Sequence, residues 1–329
     1  MRKINNSTIL GNSGAPTTSG DMLKVRNDGT LAWEAIDSTD LLPFEWGGGR
    51  GVFAGGESSS NVIQYITIAN TGNATDFGNL LAGAGQVTGC SNVSRGVFFG
   101  GGSSTNVIQY ITIANTGNAT DFGDLTEGRY GAGGTSDGYR GVCLGGYDGS
   151  SWHAGTIDYI TISTTGNASA FGHLSALQGN GEAFTNGVRA VHGGQQGGTG
   201  DQIEYITIST LGDAKDFGDL TGGNTEQPAA VADLSDRGIF AGGVRGGGSG
   251  SNIIDFVTIS STSNATDFGN LTQARYGLGG VSNGTRGCFA GGAGNKDTID
   301  YITIASAGNA TDFGDLLSGG MAGGNVSGD

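Results

Sequence analysis

Only three prolines, three cysteines and three histidines occur among the 329 residues. His153, His173 and His192 show neither an H-E-x-x-H spacing nor a cysteine partner, so a zinc site is excluded. Cys90, Cys143 and Cys288 are read as small buried apolar residues, not as a disulfide framework or a metal set. Cations are scarce: 15 Lys and Arg stand against 30 Asp and Glu, a net charge of −15. Nucleic acid is a poor partner for such a surface, because affinity there rests on cationic contacts to phosphate. The acidic balance is read as a solubilising charge. No run approaches the ~18 apolar residues of a membrane helix. The opening MRKINNSTIL has two cations but no apolar stretch behind them, so no secretory signal is expected. Helical periodicity is missing throughout. There is no P-loop, and no G-x-S-x-G in a supporting context. These absences leave no cofactor or metal to assign and argue against an enzyme.

What the chain has is glycine, at 68 residues, and a repeat. Residues 95–125 read RGVFFGGGSSTNVIQYITIANTGNATDFGDL, and the phrase recurs. Copies begin at Arg50, Arg95, Arg140, Arg189, Arg237 and Arg286, in steps of 45, 45, 49, 48 and 49 residues. Self-similarity at this period marks a propeller, solenoid or array. The glycines fall at matched positions, where they serve turns and close backbone approach. Each copy holds four extended segments with β-branched and aromatic residues between Gly, Asn, Ser and Thr. Tyr301 and Thr303 alternate with Ile302 and Ile304, so both faces of the run are suited to burial. A sheet sandwiched between two others meets that need. Six such units predict an all-β, six-bladed β-propeller over residues 41–329. Residues 321–326 align with the Gly-rich segment that precedes Arg in other copies, such as 278–285. They are expected to form the innermost strand of the first blade and so close the ring, removing two sheet edges.

Residues 1–40 differ in composition. Runs 22–25 and 30–33 flank Asn27-Asp28-Gly29, the pattern of a β-hairpin. A lone hairpin is marginal in water, so this arm, with Leu31 and Trp33, is expected to attach to something.

Three further expectations concern side chains. An acidic residue precedes the Phe of the last strand at Asp76, Asp121, Asp216, Asp267 and Asp312, with Ala170 in the third copy. One carboxylate per blade cannot hold Ca²⁺, which takes about 6–8 oxygens. A structural ion pair with Arg50, Arg95, Arg237 and Arg286 is expected instead, absent from the third blade. The Asn-x-Ser/Thr sequences at Asn73, Asn118, Asn167, Asn264 and Asn309 are read as Asx-type turns entering the last strand. The turn before that strand is nearly constant, whereas the stretches after Gly-Gly and after the Phe strand vary. In a four-stranded blade both variable connections emerge on one face, which is expected to carry recognition. Tyr147, Asp148, Trp152 and His153 lie together in the third copy's long loop, and Arg129, Tyr130, Arg245, Arg275 and Tyr276 are placed on the same face.

The Gly-Gly pairs, the Tyr-bearing strand and the aromatic last strand resemble the kelch repeat, with Phe77, Phe122, Phe171, Phe217, Phe268 and Phe313 where kelch carries Trp. The fuller phrase, R-G-V-F-x-G-G … I-x-Y-I-T-I-A-x-x-G-N-A-T-D-F-G-D-L, resembles repeats in tail-fibre and other structural proteins of marine bacteriophages. The segment G-D-M-L-K-V-R-N-D-G-T-L-A-W is similar to the short attachment segments opening such proteins. The resemblance implies a virion protein: an arm fastened to other virion proteins and a propeller shown to a host-surface glycan or protein, with no membrane insertion and a homo-oligomer as an option. A tail-fibre or receptor-binding part is preferred over a head decoration protein. A glycan-processing enzyme working at the propeller's mouth is the weaker reading, since no paired carboxylates cluster in the loops.

Overall fold

The structure is a computed structural model that describes residues 21–25, 31–35, 48–56, 59–150, 155–175, 179–194, 200–223, 225–245, 248–321 and 323–328. The chain forms two compact units, Met1–Pro43 and Phe44–Asp329. In the first unit Asp21–Val25 pairs antiparallel with Leu31–Ala35, Leu23 opposite Trp33. Residues 26–30, which hold the expected turn, lie outside the described residues.

The second unit is a six-bladed β-propeller whose blades each have four antiparallel strands. From the axis outward, the second blade runs Thr88–Ser91, Arg95–Phe99, Val107–Thr112 and Thr120–Asp124. The first blade takes its innermost strand, Gly324–Gly328, from the C-terminal residues; it lies antiparallel to Arg50–Ala54 with Val326 opposite Val52. Closure is therefore as expected, with the strand starting three residues later than the aligned 321. Six apolar clusters hold the ring, one in each gap between blades. Burial on both faces of every sheet explains why the third strands are β-branched and aromatic on both sides.

Two small-residue positions per repeat, glycine in all copies but for Ala190 in the fourth, mark close approaches. A Cβ on Gly96 would lie 2.6 Å from Val326 of the neighbouring innermost strand, so the residue after Arg must stay small where the blades converge. The Gly of D-F-G sits in a bulge of the last strand. At Gly314, with φ +146°, a Cβ would lie 2.5 Å from the carbonyl oxygen of Gly72 in the next blade. That carbonyl belongs to the constant turn, whose constancy has a physical cause. The Gly117 and Ala119 N–H groups donate to Phe77 and Asn79 carbonyls of the preceding blade. The turn thus extends the outer edge of its neighbour, which would otherwise be an open edge. The asparagine serves the same joint. Asn118 Oδ1 accepts the Asn79 N–H at 3.0 Å, and Asn73, Asn167, Asn264 and Asn309 do likewise, with Asp213 in the fourth blade. These side chains stitch blades together; they do not act as Asx caps of their own turns.

The expected Arg–Asp pairs do not form: no described ion pair joins Arg50, Arg95, Arg237 or Arg286 to Asp76, Asp121, Asp267 or Asp312. Strand register gives the reason. Arg50 shares a blade face with Val52 and Tyr65, whereas Asp76 stands opposite Gln64 and so projects from the other face. Each Arg instead lies over its blade's aromatic ring, Arg95 at 4.3 Å from the Tyr110 centroid. It donates onward to the next blade, Arg95 Nη1 to the Ile162 carbonyl at 2.8 Å. Arg50, Arg140, Arg189, Arg237 and Arg286 repeat this with Ile113, Ile208, Ile259, Ile304 and Ile68. Ala170 in the third blade changes nothing, because the position is not used. Replacing Arg95 by Leu removes a half-buried cation–π contact and a charged donor, and should cost about 1–3 kcal/mol. Urea unfolding of the variant checks this; a loss under ~0.3 kcal/mol would show the contact to be idle.

Candidate recognition face

Alternating strand direction sorts the connections between two faces. The first-to-second and third-to-fourth strand turns lie on one, the turn face. The second-to-third loops and the blade-to-blade connections lie on the other, the loop face. A backbone bridge confirms the second grouping: Tyr130, from a blade-to-blade connection, exchanges hydrogen bonds with Tyr147 of a second-to-third loop. The two variable stretches therefore share a face, as expected.

On that face, loops of the first three blades and residue 321 surround an open depression of about 740 Å³. Tyr130 and Tyr147 form part of its wall, their rings edge-to-face at 5.2 Å between centroids. Asp148 follows, its Oδ1 accepting from the Ser150 N–H at 2.7 Å and hydroxyl at 2.9 Å. The rest of the wall is almost all Gly and Ser, with Gln86 and Met321. Eight described non-glycine residues have positive φ, and four of them line this depression: Ser59, Gln86, Ser103 and Ser104. Left-handed backbone at non-glycine residues costs energy and gathers at functional sites. Trp152 and His153 lie outside the described residues.

The arginines placed on this face are elsewhere. Arg129 and Arg275 are only 1% and 2% exposed, and each pairs with a buried Asp on the third strand of the following blade. Arg129 Nη2 lies 3.0 Å from Asp158 Oδ2, and Arg275 Nη2 lies 2.8 Å from Asp300 Oδ2. Arg245 reaches Asp255 of its own blade at 2.8 Å. A carboxylate inside a seam must be matched, and the guanidinium turns inward to do so. Tyr276 is half-buried, and its carbonyl accepts the Ala293 N–H at 2.9 Å.

These arginines belong to a joint that sequence reasoning missed. In every blade the residue before the third-strand aromatic accepts a backbone N–H from the preceding blade. Gln64 accepts from Leu317, Gln109 from Leu81, Asp158 from Thr126, Glu204 from Ser175, Asp255 from Thr221 and Asp300 from Thr272. Where the acceptor is Asp, an Arg accompanies it; where it is Gln, none does. Glu204 has no such cation among the described residues; its Oε2 is unpartnered and burial raises its pKa. The signal was present in the sequence as a joint variation of two positions across repeats.

The axis opens on the loop face through a narrow mouth of about 50 Å³ that Glu182 lines with Asn180 and Gln227. Burial pushes the half-buried Glu182 carboxyl up to about 8. Burial also lowers His192, 1% exposed, to about 4. The two act oppositely on stability. The folded state holds the Glu182 proton more tightly than the unfolded chain. Its contribution is full below about pH 4.5 and is lost as pH rises through 8. His192 folds neutral, so its contribution is full above about 6.5 and is lost as pH falls through 4. Glu182→Gln should therefore raise the melting temperature above pH 8 by a few degrees relative to the native chain, roughly what 1–2 kcal/mol gives a domain this large, and leave it unchanged at pH 4. Melting curves at the two pH values test this; equal shifts at both would refute it.

Among the described residues no group of three His, Cys, Asp or Glu side chains is arranged to hold a metal ion. No family model matches the sequence, and no curated protein matches it either.

Proposed function

We propose that this chain is a structural and recognition component of a bacteriophage virion, a kelch-like propeller that presents its loop face to the host surface, most fitting for a tail fibre. One observation carries the reading: variation between the repeats is concentrated on one face. The turn face is constant because its turns, asparagines and arginines join blade to blade. The loop face also joins blades, through the buried Gln, Glu and Asp acceptors, but its loops vary between repeats and there build a depression with two aromatic side chains and locally strained backbone. Loops that vary on a rigid scaffold are where binding is built. The described lining of the depression holds a single carboxylate, Asp148, which favours binding over glycoside hydrolysis, a reaction that uses two. The family part of the reading rests on the resemblance of the repeat phrase and of the arm.

Competition tests it. The purified full chain should block adsorption of the particle to its host cells, and a chain whose loop 147–154 is replaced by the short second-blade loop should block less well. Deleting residues 1–36 should leave a folded propeller that no longer enters the particle. Normal incorporation of the truncated chain, or no competition by the intact one, would sink the proposal.

A further inference from the structure

We infer that the depression walled by Tyr130 and Tyr147 is a binding site for a neutral saccharide; this rests on the recognition reading above and names the ligand class. Four features of the wall select the chemistry. First, no Lys or Arg lines it among the described residues, and the chain carries −15 overall. Phosphorylated, sulfated or sialylated ligands would meet repulsion without a counter-charge. Second, the lining is too poor in aliphatic side chains to shelter an oily ligand. Gly56, Gly85, Gly102 and Gly149 alternate with Ser59, Ser103 and Ser104. Small residues let a ligand approach the main chain and offer hydroxyls as both donors and acceptors. Third, two aromatic rings stand among these polar groups.

A sugar ring matches that mixture: its C–H face packs on an aromatic ring while its hydroxyl rim meets Ser and backbone groups. The fourth feature is that the rings are already set. The Tyr130 and Tyr147 backbones exchange N–H···O bonds of 3.1 and 2.8 Å. The rings then brace each other edge-to-face at 64°. Rigid tyrosines lose little conformational freedom on binding. The serines beside them, Ser103 at φ 69° and Ser104 at φ 52°, take the left-handed backbone that gathers at functional sites. The volume of about 740 Å³ falls within the ~300–1,000 Å³ of small-ligand sites.

Saturation-transfer NMR on the full chain, with cellobiose, maltose, lactose and diacetylchitobiose as probes, tests the inference. At least one should receive magnetisation at its ring C–H protons. Tyr147→Ala should weaken that sugar about tenfold, and Tyr147→Phe should hold it within about twofold, both with unchanged melting temperature. No transfer to any of the four, or transfer that Tyr130→Ala and Tyr147→Ala leave unaltered, overturns the site. A chain that blocks particle adsorption yet takes up no saccharide overturns this inference and leaves host recognition standing. One that binds sugar through Tyr147 without blocking adsorption upholds the site and removes the host role.

Discussion

Removing residues 324–329 should cost the propeller ~5 kcal/mol or more and drive the chain to aggregate. The strand Gly324–Gly328 occupies five paired positions against Arg50–Ala54. Its loss frees that edge, and an unpaired edge recruits other chains. Val326, 3% exposed, contributes about 1.5–3 kcal/mol by burial. The ladder bonds add roughly 1 kcal/mol each. Phe98, fully buried and packed against Gly324, would face solvent. Closure is also what makes six blades one cooperative object, so the damage should spread beyond the first blade. Size-exclusion and urea unfolding of the truncated chain give the answer. A synthetic peptide covering residues 319–329 should restore part of the stability when added in excess. A truncated chain that elutes at the native volume and unfolds at the native midpoint would show that closure is dispensable.

The second large effect belongs to the buried ion pairs. Arg275→Met should destabilise by ~3–5 kcal/mol, because Asp300 is then left charged and desolvated. The guanidinium also donates to the Gly291, Thr298 and Phe289 carbonyls, so three acceptors each lose one bond as well. The molecule itself supplies the rescue. Two seams already work with Gln64 and Gln109 at the matching position and without arginine. Adding Asp300→Gln to Arg275→Met should therefore regain most of the loss, keeping the bond from Thr272. A single variant costing under 1 kcal/mol, or a double variant no better than the single, would refute the account. The same pair of changes at Arg129 and Asp158 should behave alike.

The architecture was legible because it is written six times. Tyr110-Ile111-Thr112-Ile113 announces a strand buried on both sides, the regular spacing announces blades, and the residues before Asp329 announce the missing first strand. The joints were less legible. The pairing expected of Arg50 and Asp76 leaves out which face of the sheet each side chain takes. A period of two sends their side chains to opposite sides of the sheet, and the arginine found an aromatic ring and a carbonyl instead. Arg129 and Arg275 were read as surface groups because they sit in variable loops. Their partners Asp158 and Asp300 lie 29 and 25 residues further on, in strands of the next blade. Only comparison of the copies for paired change could have joined them. That Tyr130 and Tyr147 share a face is legible in the sequence, because loop polarity follows from strand count alone.

Ring closure also fixes how the propeller bears load. The chain enters it at Arg50 on the turn face. The first strand it meets is bonded on one side to Gly324–Gly328 and on the other to Val62–Thr67. A pull delivered through the residues before Arg50 runs along that strand, so both ladders are loaded in shear and must yield together. An outermost strand would peel one bond at a time. The point of entry is thus among the strongest anchorages the sheet offers, and it lies on the side away from the depression. Tension applied through the residues before Arg50 would pass into the ring without distorting the loops around the depression. Atomic-force pulling from the N-terminus should meet a single high-force rupture, and the truncation at residue 324 should lower it.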